Sequence, residues 1–181
     1  MRSRFLLERP RRDPRGESQG RTAGGTRMSE TSKHPTIGEL TRALGRLADR
    51  VLESDEPQLE NYVTQRLRTS LNELQRFIPG LDEPPDREAA KGLSRGAETA
   101  LRRGHPREAL SRSLRGLSFS PHEPLLCYLA ASACFELGAV EGAMRLLTHT
   151  LWLHPGHHAA RADLEALTAY FDQREDEDKA A

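Results

Sequence analysis

The chain has little lysine, little cysteine, few aromatic residues and no long apolar run, and each shortage narrows the reading. Among 27 Lys and Arg residues only Lys33, Lys91 and Lys179 are lysine, a compositional bias to which no function attaches. Cys127 and Cys134 are the only cysteines. On one helix they stand about 10 Å apart, too far for a disulfide, which fits a reducing, cytoplasmic compartment. Aromatics make up 5% of the chain, and no run alternates β-branched with polar residues, so a sheet-built core is excluded. No segment nears the ~20 apolar residues that span a bilayer. Phe5-Leu6-Leu7, interrupted by Glu8 and Arg9, is too short for a secretory signal.

A length of 181 residues with zero net charge supports one domain. The charge is unevenly spread. Residues 1–34 form a basic arm, with eight Arg before Met28 against Glu8, Asp13 and Glu17. Residues 172–181 form an acidic tail. Neither end carries enough apolar surface to offset the entropy of ordering it, so both are expected to be disordered. Met28-Ser29-Glu30 reads as the native start, with residues 1–27 as translated upstream sequence.

Everything between reads as helix, giving an all-α fold. Thr36 opens the first helix, with Glu39 completing a capping box. Ile37, Leu40, Leu44, Leu47 and Val51 make its apolar stripe. After an acidic break at 53–57, a second stripe runs through Leu59, Val63, Leu67, Leu71, Leu74 and Ile78, and Pro79-Gly80 ends it. Residues 35–81 are thus expected as a helical hairpin. Asp82-Glu83-Pro84-Pro85 is a linker, and Asp86 caps the next helix.

From Asp86 the chain repeats itself. Gly104 and Gly138, Ala109 and Ala143, Leu117 and Leu151, Phe119 and Leu153, and Pro121 and Pro155 all recur at one common offset. The glycines suit a left-handed residue just past a helix end. The alanines suit a close helix crossing, the prolines a helix stop. Leu117, Phe119, Leu151 and Leu153 supply the apolar ends of the second helices. The offset matches the period of the tetratricopeptide repeat, about 34 residues, and with these marks the stretch resembles that family. The resemblance covers residues 90–157, with His158–Phe171 as the closing helix, so 86–171 is a repeat domain. It implies an α-α superhelix, with the N-terminal hairpin as a non-repeat cap or, failing that, a dimerising element. Small residues replace the family's Leu-Gly pair at Gly96-Ala97 and Ala130-Ala131. The late Ala of the second helix is Gly116 in one repeat and Thr150 in the next, a bulkier residue that loosens the contact. Trp152 points away from the core, and the hairpin is its expected cover.

Candidate chemistry is weak throughout. His149, His154, His157 and His158 fall close together, and imidazole suits zinc or copper, but they surround an inter-repeat turn and lack Cys or carboxylate at ligand spacing. Metal binding is therefore expected to be adventitious. Cys127 and Cys134 fall on core positions with no base or orienting group to name. Asp163 and Glu165 are two apart and do not share a helix face. Gly24-Gly25 follows no strand, so it is not a phosphate loop. Glu98, Glu108, Glu136 and Glu141 interrupt Arg102, Arg103, Arg107, Arg112 and Arg115, which disfavours nucleic acid. Neither an enzyme nor a cofactor protein is expected.

The resemblance implies a protein-binding adaptor whose first helices line a groove for an unidentified peptide or partner helix. By matching position, the groove residues are Lys91, Ser94, Glu98 and Arg102 from the first pair. The second pair supplies Leu125, Tyr128, Ser132 and Glu136. The Lys and Asn clamp that some members use for a terminal carboxylate is absent, so a chaperone-tail ligand is disfavoured. The hairpin itself is a competing occupant of the groove. A small secretion chaperone, a class also built of such repeats, is the alternative reading on size and fold analogy.

Overall fold

Thr36 and Asp86 show why the helices begin where they do. Thr36 N–H and Oγ1–H both donate to Glu39 Oε2, at 2.7 and 2.9 Å, while Glu39 N–H donates to Thr36 Oγ1 at 3.3 Å. The expected capping box is therefore formed, and the Thr36 backbone N–H holds the Glu39 carboxyl below its usual pKa. Asp86 Oδ1 accepts from Ala89 N–H at 3.0 Å. The structure is a computed structural model that describes residues 35–53, 58–77, 79 and 86–180, with side chains through 173. The basic arm, Met28, residues 54–57 of the acidic break, Ile78, Gly80 and the Asp82–Pro85 linker lie outside the described residues.

The fold is all-α. The described residues form seven helices and no strand. They are α1 (Ile37–Glu53), α2 (Leu59–Leu74), α3 (Arg87–Arg102), α4 (Pro106–Phe119), α5 (Pro124–Glu136), α6 (Val140–Leu153) and α7 (His158–Ala180). α2 ends at Leu74, about a turn before Pro79. α7 is longer than expected and continues past Phe171 to Ala180. Its acidic end contains Glu, Gln, Arg, Lys and Ala but no Gly or Pro, so propensity favours continuing the helix once its start is packed.

α3 pairs with α4 and α5 with α6, and α4 contacts α5 to join the pairs. The two turns within the pairs are the same device. Gly104 and Gly138 take φ of +70° and +80°. Around each, two amides return to the helix just ended. His105 N–H donates to Ala100 O and Gly104 N–H to Leu101 O, both at 2.9 Å. Ala139 N–H donates to Cys134 O at 2.9 Å and Gly138 N–H to Phe135 O at 3.0 Å. This is the Schellman arrangement, in which a left-handed residue lets orphan carbonyls be satisfied. A Cβ at either glycine costs roughly 1–2 kcal/mol from backbone strain alone.

Small residues sit where the helices cross. Ala97, Ala109, Ala131 and Ala143 are all buried. A Cβ on Gly116 would stand 2.7 Å from both Leu126 methyl carbons, so α4 and α5 touch through that glycine. The corresponding places one period on are Thr150 and Ala160, both fully buried. Bulk has moved from one helix to the other, Gly with Leu becoming Thr with Ala. Thr150 is nonetheless fully buried, and its hydroxyl donates to Leu146 O at 2.8 Å. Phe119 departs from expectation. Its ring is exposed, and its carbonyl is the useful group, accepting Asp86 N–H at 3.2 Å.

The N-terminal pair is no appendage. Its apolar stripes are buried as expected, but the main contacts of α1 are with α4 and those of α2 with α6. Arg115 of α4 donates to the Asp49 carboxylate of α1. A Cβ on Gly45 would stand 3.9 Å from Ser118 Cβ, and one on Gly142 would stand 3.2 Å from Thr64 Oγ1. Leu40, Leu44, Leu67 and Leu74 share one core cluster with Leu110, Leu114, Leu126 and Leu146. The second helix of each pair is thus covered by the N-terminal pair.

Candidate partner-binding face

With α1 and α2 laid on α4 and α6, the helices left facing outward are α3, α5 and α7. The hairpin therefore does not fill the candidate groove, since neither of its helices packs substantially on any of these three. Lys91, Glu98 and Arg102 are exposed on α3, and Arg102 pairs with Glu98 at 3.3 Å. Ser94 does not belong with them. It is buried, and its hydroxyl donates to Lys91 O at 2.9 Å. At its place in α3 the helix turns the side chain inward, toward the neighbouring helix rather than toward a partner.

On α5, Leu125 is 47% exposed and Glu136 is exposed. Tyr128 is half-buried and already engaged. Its ring lies 4.8 Å from that of His157, and its hydroxyl donates to Asp163 Oδ2 of α7 at 2.9 Å. Desolvation, and then the carboxylate of Asp163, push its pKa above the usual tyrosine value. Ser132 Oγ donates to Tyr128 O at 3.2 Å.

α3 and α5 contact each other closely, whereas α5 and α7 are bridged chiefly by the Tyr128 side chain. A cavity of about 310 Å³ opens in the gap. Ala131, Ala143 and Leu147 form its apolar floor, Phe135 lines its wall and remains 54% exposed, and Ser132, Glu136 and Asp163 supply polar groups. Ser132 and Glu136 line this cavity, while Leu125, Tyr128 and the α3 residues lie outside its lining. Asp163 was not anticipated. Carrying the repeat comparison into α7 would have found it, because Asp163 stands where α5 has the buried Leu129.

The histidines and cysteines take other roles. His157 Nδ1 accepts Ala160 N–H at 3.1 Å, capping α7. His149 is buried in α6, with no partner for either ring nitrogen, stacked on Trp152 at 5.2 Å. Burial, and then the nearby His122, pull its pKa down to about 4. His122 Nε2–H donates to Leu74 O at 3.3 Å, at the end of α2. Trp152 remains 42% exposed, with the rings of His149 and His122 beside it. Among the described residues no three His, Cys, Asp or Glu side chains converge as metal ligands. Cys127 and Cys134 are fully buried, and desolvation raises both thiols, that of Cys134 to about 12. Neither is set up as a nucleophile, which needs a lowered pKa and access. Among the described residues no helix is long and apolar enough to cross a membrane.

Comparison with protein-family models and with curated proteins finds no match for the chain.

Proposed function

We propose that α3 to α6 are two tetratricopeptide repeats closed by α7, and that the chain is an adaptor holding a partner peptide or helix on its α3/α5/α7 face. The observation that carries this reading is the placement of α1 and α2. They cover the second helices of both pairs, and the first helices stay open beside a cavity of about 310 Å³. Two repeats alone expose too much apolar surface to stand free, and α1 and α2 supply the missing cover without using the open face. Exposed Leu125, Phe135, Glu98 and Glu136 give that face the mixture of apolar anchors and charge that partner surfaces use.

The test is affinity capture from the native host followed by mass spectrometry, with two variants beside the wild type. Glu98→Arg combined with Leu125→Arg and Glu136→Arg alters the open face. Arg42→Glu alters an exposed residue of α1. A specific partner retained by Arg42→Glu and lost by the triple variant is the expected result. A partner that ignores the triple variant contradicts it.

A further inference from the structure

The cavity between α5, α6 and α7 has a matching place in the first pair, where a leucine is buried. Shifting its lining back by one period turns Ala131 into Ala97, Ala143 into Ala109 and Asp163 into Leu129. Leu129 is 6% exposed and Ala97 fully buried, yet both lie outside the main core cluster. Ala97 lies on α3 and Leu129 on α5, two helices that contact each other. On α7 the matching residue is an aspartate. Its carboxylate is too costly to desolvate over an alanine and leucine floor, and it turns instead to the Tyr128 hydroxyl. Ala131 and Ala143 keep the small floor of the first pair, Leu147 stands where that pair has Ser113, and α7 lines the space only along one side, through Ala166 and Leu167.

From this we propose, on the strength of the adaptor reading above, that the cavity is a socket for a bulky apolar side chain of a partner peptide, with a neighbouring Arg or Lys held by Asp163 and Glu136. The apolar part follows from the vacancy at the Leu129-equivalent place. The cation follows from charge. Asp163 receives a hydrogen bond from a neutral hydroxyl, Glu136 is exposed at the same opening, and no described Arg or Lys is paired with either carboxylate.

The test is selection of random dodecapeptides on the full chain, followed by affinity measurement with the synthetic winners. Enriched sequences should share Leu, Ile, Met or Phe with Arg or Lys within one helical turn. Asp163→Leu restores the first-repeat arrangement and should fill the socket. It is expected to melt no lower than the wild type and to weaken the selected peptides by roughly tenfold or more, the loss of one buried apolar side chain. Should Asp163→Leu fold poorly, Ala166→Leu fills the socket from the exposed side of α7 and carries the same expectation. Glu136→Gln should relax the preference for a cation while keeping the apolar residue. Peptides that lack a cation, or that bind both filled variants as tightly as wild type, overturn the socket. In the second case, loss of the same peptides in Glu98→Arg leaves the adaptor reading standing. No enrichment at all overturns both. Dimerisation lost in Asp163→Leu, or peptide binding seen only after removal of residues 1–34, would make the chain its own occupant and overturn the claim of a separate partner.

Discussion

Leu44→Ala in α1 and Leu67→Ala in α2 are expected to destabilise the protein by ~2–5 kcal/mol each, as much as Leu114→Ala within the repeats. A cap that merely tethers to a repeat domain would give a smaller effect and a separate unfolding transition. Leu44, Leu67 and Leu114 are all fully buried in one cluster. Truncating any of them removes transfer free energy and leaves a cavity in the same core. Urea denaturation followed by circular dichroism and by Trp152 fluorescence reads the outcome. The two probes should report one coincident transition for all three variants. Two transitions, with the earlier one alone shifted by Leu44→Ala, would return α1 to the status of an appendage.

Acid should weaken the fold through His149. In the folded chain its pKa lies near 4, against 6.5 for the ordinary imidazole. The native state therefore holds the proton less well than the unfolded chain. This contribution is complete above about pH 6.5 and is lost progressively as pH falls toward 4, a difference of about 3 kcal/mol. The cause is desolvation first, since both ring nitrogens are buried without partners, and the charge of His122 second. Carboxylates titrate in the same range, so the comparison that isolates His149 is His149→Phe. The variant should nearly match wild type at pH 7.5, because an unpartnered buried polar group is exchanged for an apolar one of similar shape. At pH 4.5 it should be the more stable chain. Equal acid sensitivity in both would show that His149 is already charged, or hydrated, in the native state.

Much of the architecture was legible in the sequence because local chemistry specified it. The Thr36 and Asp86 caps, the left-handed Gly104 and Gly138, and the helix stops before Pro121 and Pro155 each depend on a few adjacent residues. The common offset between the two halves of the repeat paired the helices correctly. What the stripes could not say was which surfaces they met. Leu40, Leu44 and Leu47 announce a buried face on α1, but nothing local distinguishes α2 from α4 as the partner. The candidate groove was half legible for a related reason. Position matching named Ser132 and Glu136, which line the opening between α5 and α7, yet it also named Ser94, which the helix turns inward. Asp163 was passed over because its nearest carboxylate, Glu165, lies on another face of the helix. Its meaning comes only from Leu129, one period earlier in the chain.

The α3/α5/α7 face is open to a partner only while α1 lies against α4. Gly45 and Ser118 allow a direct measurement, because a Cβ on Gly45 would stand 3.9 Å from Ser118 Cβ, within the range that a disulfide spans. The Gly45→Cys, Ser118→Cys chain should oxidise to an intramolecular crosslink while the buried Cys127 and Cys134 stay reduced. The locked protein should bind a selected peptide with unchanged affinity. Failure to crosslink, or a crosslinked chain that has lost binding until it is reduced, would contradict the account.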